Sequence, residues 1–266
     1  MALAGCDTTQ EAIEIMAVVL TSLKNRVRTI KINRPKVKNA FNDQVYKAIT
    51  KILNEDSDNN QVVVTILTGS GDYFTSGNDL KSSFETAGSQ DNFRIVSDMI
   101  EALIDYPKLL ISVVNGPAIG IGATLLTLCD IVYCSDTATF HTPFLGLGLC
   151  AEGASSYNFP FILGRSMASE MIFLGRKLTA REALQAGLVS RIVPQNELPQ
   201  FIDELHELGN LSLENTRRNK RIIMRHFEEV LKKANKIEMD ALRECADSEE
   251  FSQKVMNFLL KNKSKL

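Results

Sequence analysis

The sequence predicts an α/β fold built on a mostly parallel sheet. Three observations carry that expectation. Strand-like and helix-like apolar patterns alternate from residue 18 to residue 134. Val62–Leu67 and Leu109–Val114 are almost continuously apolar, as strands covered on both faces are. Each is followed by a glycine-bearing loop that leads into a helical pattern, the strand-to-helix half of a parallel crossover.

The elements follow in chain order. Val18–Leu23 and Val27–Ile32 alternate on either side of Lys24-Asn25-Arg26 and predict a β-hairpin, closed by Asn33-Arg34-Pro35. Asn42–Asn54 carries Val45, Ala48, Ile49, Ile52 and Leu53 at helical spacing, with Asn42 as the cap. Val62–Leu67 is a buried strand and Thr68–Lys81 a loop. Asp91–Asp105 reads as a helix ended by Pro107, Leu109–Val114 as a strand and Asn115–Gly122 as a glycine-rich turn. Ala123–Cys129 predicts a short helix and Ile131–Cys134 a strand. Beyond residue 150 strand signals thin out. Thr179-Ala180-Arg181-Glu182 is a capping box, and Gly187 stops its helix. Leu188–Val193 is a last strand before Pro194, and Glu214–Ala234 and Ile237–Lys261 predict two helices. The expected organisation is an extension over residues 1–15, a core over 16–195, a helical region over 196–263 and a terminal tripeptide.

Composition narrows the function classes. The chain has 266 residues, 44% hydrophobic and 23% charged, which is globular. Thirty basic and 32 acidic residues leave a net charge of −2, so no nucleic-acid or anionic-membrane partner is expected. No apolar run reaches the 18 or so residues of a membrane span. The N-terminal stretch has early acids and no basic region, unlike a secretory signal. The five cysteines, Cys6, Cys129, Cys134, Cys150 and Cys245, form no C-x-x-C pair and are expected to be free thiols. The chain ends Ser264-Lys265-Leu266, a peroxisomal address read by an import receptor, which places the protein in the peroxisomal matrix.

Several chemistries are set aside. His141, His206 and His226 lack metal-ligand spacing, so no metal site is expected. G-x-S-x-G and the phosphate-binding G-K-[ST] are absent. Gly120-Ile121-Gly122 lacks the third glycine of a dinucleotide site, where Leu125 stands, and the ribose-binding acid. What remains is a pair of similar loops, Thr75–Leu80 and Asn115–Gly122. They are either ordinary strand-to-helix turns or two sets of backbone N–H donors at one crevice, an oxyanion hole.

The motifs Asn33-Arg34-Pro35, Asn39-Ala40, Thr68-Gly69, Ser76-Gly77-Asn78-Asp79-Leu80, Asn115-Gly116-Pro117, Gly120, Gly122 and Cys129-Asp130 occur in one order. With Thr179-Ala180, Glu182-Ala183 and Gly187-Leu188-Val189, the sequence resembles the crotonase superfamily of enoyl-CoA hydratases and isomerases. The resemblance spans residues 16–260. It implies repeated ββα units, a C-terminal helical region and assembly as a trimer or a pair of trimers. It also implies an acyl-CoA thioester substrate, with its oxygen between the backbone N–H groups of Ser76 and Ile121. CoA is then part of the substrate, and no cofactor is implied. The implied CoA-binding positions are Lys38, Ala40, Ser76, Gly77, Asn78, Asp79, Leu80 and Gly120.

Two glutamates that serve hydratases of this family are replaced here by Thr124 and Phe144. One acid remains, Glu152, near Leu147, Leu149, Ala151, Ala154 and Phe159. The stretch from His141 to Tyr157 resembles peroxisomal Δ3,Δ2-enoyl-CoA isomerases, whose base is the glutamate at this position. The resemblance implies that Glu152 takes a proton from C2 of a 3-enoyl thioester and returns it to C4. Apolar neighbours are expected to raise its pKa. Otherwise Glu152 is a carboxylate facing a helix dipole. A non-catalytic acyl-CoA binder, a hydratase and a dienoyl-CoA isomerase are the rival readings. Arg34, Lys36 and Lys38, or Arg221 and Lys232 of the C-terminal helices, either meet the CoA phosphates or are solvated. Phe84, Met99 and Phe144 are expected along the acyl tunnel.

Overall fold

A computed structural model describes residues 18–80 and 90–263. The N-terminal extension, Phe84 and Ser264-Lys265-Leu266 lie outside the described residues. Strands β1 (Val19–Lys24) and β2 (Val27–Ile32) form the expected hairpin, with Lys24 paired to Val27. Asn25 and Arg26 both take positive φ, 45° and 63°, the mirror-image turn that matches strand twist.

The main sheet has six strands in the order β1-β2-β3-β4-β6-β9 and is parallel from β2 onward. Here β3 is Val64–Gly69, β4 Leu109–Val114, β6 Ile131–Ser135 and β9 Arg191–Val193. Alternate residues of β3 and β4 enter different cores. Ile66, Ile111 and Val113 face a smaller core with Phe201 and Leu205. Leu67, Leu110 and Val114 face the larger core, where α1 (Asp43–Asp58) packs through Val45, Ile49 and Leu53. Asn42 caps α1 by accepting the Val45 N–H at 3.1 Å. Helix α2 is Gln90–Asp105.

A second sheet joins β5 (Ala118–Ile119), β7 (Thr139–His141) and β8 (Leu178–Thr179). Between β5 and β6 lies α3 (Ile121–Thr124). Helices α4 (Ser155–Leu163), α5 (Arg165–Leu174) and α6 (Ala180–Gln185) follow, and then α7 (Leu198–Glu204). The C-terminal region holds α8 (Leu213–Met224), α9 (Glu228–Ala246) and α10 (Glu249–Lys263).

Three expectations are corrected. β3 begins two residues later than Val62, because the Val62 and Val63 N–H groups bond to Asn59 and Arg26 carbonyls outside the ladder. β9 starts at Arg191, since Leu188 and Val189 bond back to the Ala183 carbonyl behind α6. The C-terminal helices break at 225–227 and 247–248 rather than near 235. Leu231, Ala234, Glu238, Met239 and Leu242 form one continuous buried stripe on α9, so nothing favours a break there.

Candidate active site

The two glycine-bearing loops meet through their backbones. Thr75 and Ala118 form a parallel bridge, with the Thr75 N–H on the Pro117 carbonyl at 3.2 Å and the Ile119 N–H on the Thr75 carbonyl at 3.0 Å. Gly77 lies so close to the second loop that an added Cβ would stand 2.8 Å from the Ile119 oxygen. Two buried asparagines shape the approach. Asn39 accepts the Arg34 N–H at 2.9 Å and donates to the Ser70 and Tyr73 carbonyls. Asn115 accepts the Gly69 N–H at 3.0 Å and donates to the Gly71 and Tyr73 carbonyls.

The loops open into a cavity of about 610 Å³. Lys38, Ala40, Gly120, Glu152 and the whole of Ser76-Gly77-Asn78-Asp79-Leu80 line it, so these expected site residues converge. Phe144 lines it as well, whereas Met99 belongs to the core on α2 and not to the wall. Thr124 is buried beside the second loop, its hydroxyl donating to the Ile121 carbonyl at 3.3 Å.

The backbone donors of the first loop sort by elimination. The Ser76 N–H donates to the Lys38 carbonyl at 2.9 Å, the Gly77 N–H to the Thr75 hydroxyl at 3.0 Å and the Asp79 N–H to the Phe41 carbonyl at 2.8 Å. Ser76, the expected oxyanion donor, is thus engaged inside the fold. Among the described residues, Asn78 is the member of 76–79 whose N–H meets no acceptor. On the second loop, the Ile121 N–H opens α3 near the Glu152 carboxylate and favours its charged form.

Two carboxylates line the cavity, and they differ. Asp79 is paired with Arg34, both guanidinium nitrogens at 3.0 Å, and that guanidinium also holds the Ala40 carbonyl. Arg34 therefore braces the first loop and is not a free cation for CoA. Glu152 is 5% exposed and has no cationic partner among the described residues. The Asn78 amide donates to its two oxygens at 3.4 and 3.3 Å. Burial pushes Glu152 up to about 7; the Asn78 bond opposes the rise, the Glu238 carboxylate adds to it and the Ile121 N–H opposes it.

Asn78 is itself oriented. The buried Tyr46 hydroxyl on α1 donates to its carbonyl oxygen, which turns the amide nitrogen toward Glu152. Burial keeps that phenol protonated. Tyr46 and Glu238 were not legible as site residues, because each arrives from a distant element, and His141 of the cavity wall heads the recognised stretch without having been given a role there. Lys36 and Lys38 are exposed near the first loop, Lys38 over the Tyr73 ring at 5.0 Å. Lys232 pairs with Asp105 at 2.6 Å and Glu228 at 2.9 Å, and lines a separate cleft together with Arg221.

A pair of converging loops around a buried carboxylate defines the class. The family model for enoyl-CoA hydratase/isomerase matches residues 22–266, and the chain belongs to that family. It is similar to "enoyl-CoA delta isomerase 3, peroxisomal" of Mus musculus, 40% identical over 255 residues, which are 93% of this chain and 80% of that protein. Enoyl-CoA delta isomerase 2 of Homo sapiens is 40% identical over 256 residues, 94% of this chain but 64% of that longer protein. The crystal structure of an enoyl-CoA hydratase/isomerase from Pseudoalteromonas atlantica T6c superposes with a TM-score of 0.86 at 35% identity, covering 92% of this chain and 97% of that one. The crotonase fold is thereby established, and the sequence similarity supports an isomerase.

Proposed function

We propose that this chain isomerises 3-enoyl-CoA thioesters to the conjugated trans-2-enoyl-CoA by a proton transfer through Glu152. The observation that carries the reading is the state of this carboxylate. It is buried, free of a cation and poised near neutrality, beside two loops that present backbone donors. A C2 hydrogen of the substrate is acidified by both the carbonyl and the double bond. Glu152 takes it, and the electron pair moves into a dienolate whose negative charge sits on the thioester oxygen. The N–H groups of Asn78 and Ile121 hold that oxygen, Asn78 replacing Ser76 on the geometry above. Protonated Glu152 then delivers the same proton to C4. Proton and charge balance close without a metal or redox cofactor. A carboxyl near 7 suits both halves, since it can act as base and then as acid.

Thr124 and Phe144 carry no proton at the positions of the two hydratase acids, which favours isomerisation over hydration. Lys36 and Lys38 are the cations offered to the CoA phosphates. Ser264-Lys265-Leu266 and the similarity to a peroxisomal isomerase of Mus musculus support a peroxisomal location. Exposed Phe161, Phe173 and Leu174 on α4 and α5 support the expected assembly into trimers.

The test is conversion of trans-3-hexenoyl-CoA to the conjugated thioester by wild type and Glu152→Gln. We expect turnover by wild type and a loss of at least about a thousandfold in the variant. A variant that keeps its rate removes Glu152 as the base, and an inactive wild type that still binds acyl-CoA leaves a binder.

A further inference from the structure

Glu152 sits at the start of an uncommon turn. Gly153 and Ala154, the next two residues, are both left-handed, with φ of 72° and 57°. For glycine this is easy, but for alanine it costs about 1 kcal/mol or more, so surrounding contacts must hold it. The contact comes from far along the chain. Glu238, in the middle of α9, is 3% exposed and points its carboxylate at this turn. One oxygen accepts the Ala154 N–H and the other the Ser156 N–H, each at 2.7 Å. The Ser156 N–H is among the first donors of α4, which lack partners within the helix, and the helix dipole there favours an anion.

We propose that Glu238 is a positioning residue for the reaction: it locks the Glu152-Gly153-Ala154 turn and thereby aims the Glu152 carboxylate between the two loops. A misplacement of about 1 Å at such a site typically costs about a hundredfold in rate. The groups facing Glu152 are the Asn78 amide, the Ile121 N–H, the Tyr46 hydroxyl through Asn78, and Glu238. His141 lines the same cavity. The groups facing Glu238 are the Ala154 and Ser156 N–H groups, the Ser156 hydroxyl, Glu152 and the free thiol of Cys150, which neighbours the free thiol of Cys245 on α9. Glu238 thus also supplies the one anion among these that raises Glu152, so its loss has an electrostatic signature as well as a geometric one.

The inference rests on Glu152 as the base. The experiment compares full-length wild type, Glu238→Gln and Glu238→Asp with trans-3-hexenoyl-CoA from pH 5 to 9, with circular dichroism and thermal melts alongside. Glu238→Gln keeps the shape, removes the charge and offers one acceptor instead of two. We expect kcat to fall about ten- to a hundredfold with KM changed less than twofold. The acid limb of the kcat/KM profile should move to lower pH, because a neighbouring negative charge has gone. Glu238→Asp should keep the limb in place and recover part of kcat. A folded Glu238→Gln with wild-type kcat and an unmoved limb overturns the proposal, as does a variant that loses only melting temperature. Should Glu238→Gln not fold, Ala154→Gly in the same background removes the strain. Folding restored with kcat still low supports the assignment, whereas restored folding with full kcat, or no restoration, overturns it. An active Glu152→Gln breaks the base reading itself, while an inactive Glu152→Gln beside an unaffected Glu238→Gln breaks only this one.

Discussion

Glu152 is a carboxyl group held away from its preferred state, and that has a consequence for stability. Folding raises its pKa from an ordinary 4.5 to about 7. Between those values the folded protein holds a proton that the unfolded chain has released. Stability from the protonated carboxyl is therefore fully present below about 4.5 and is lost as pH rises through 7. The shift corresponds to about 3 kcal/mol, an upper estimate for a group buried among dipoles. Replacing Glu152 by Gln should raise the melting temperature at pH 8 by several degrees and change it little at pH 4.5, as read by thermal melts at both values. An equal shift at both would refute the burial argument and leave a packing effect. The sequence carried part of this. The apolar residues around Glu152 foretold the direction, since burial is a local compositional property. The Asn78 amide and the Glu238 carboxylate were not legible as its neighbours, because they stand 74 and 86 positions away and only tertiary folding brings them in.

The two loops show how much an element's motif says about chemistry. Asn39, Asn115 and Arg34 belong to the most recognisable motifs of the chain, yet each is engaged within the scaffold. Their side chains satisfy carbonyls and N–H groups that the irregular backbone leaves open. That division explains why the site region was legible while the engagement of the Ser76 N–H with the Lys38 carbonyl was not. Motif spacing locates a loop, but which N–H is left over depends on hydrogen bonds to Lys38, Thr75 and Phe41. The small β5-β7-β8 sheet was missed for a related reason: strands of two or three residues have no period to read. Gly77 is where the loops depend on a single atom. Its φ of 87° disfavours any Cβ, and alanine would push within 2.8 Å of the Ile119 oxygen. Gly77→Ala should lower kcat/KM by at least about tenfold through separated oxyanion donors. Steady-state kinetics with an intact circular dichroism spectrum checks this, and an unchanged kcat/KM would show that the loop contact is not what sets the donor spacing.

At the scale of the molecule, the C-terminal helical region does more than extend the core. A helical region beginning near residue 196 was legible from helical periodicity. Its return to the active site was not, since periodicity says which face is apolar and not what that face meets. α9 delivers Glu238, and α10 closes one side of the cavity with Phe258 and Leu259. The seat of α10 is the segment Leu145–Gly148, which also forms cavity wall. Lys254 donates to the Leu145 carbonyl at 2.7 Å, and Phe251 and Val255 are buried. Gly148 fits this seat because it takes a φ of 71° and lets the Phe251 backbone come near, 3.0 Å from where a Cβ would stand. Alanine there both strains the turn and lifts α10, while Glu152 and the loops stay where they are. Gly148→Ala should therefore raise KM for trans-3-hexenoyl-CoA several-fold and leave kcat within about twofold, the pattern of weakened binding with intact chemistry. The opposite pattern, a fallen kcat at constant KM, would mean that α10 holds the Glu152 turn rather than the acyl wall.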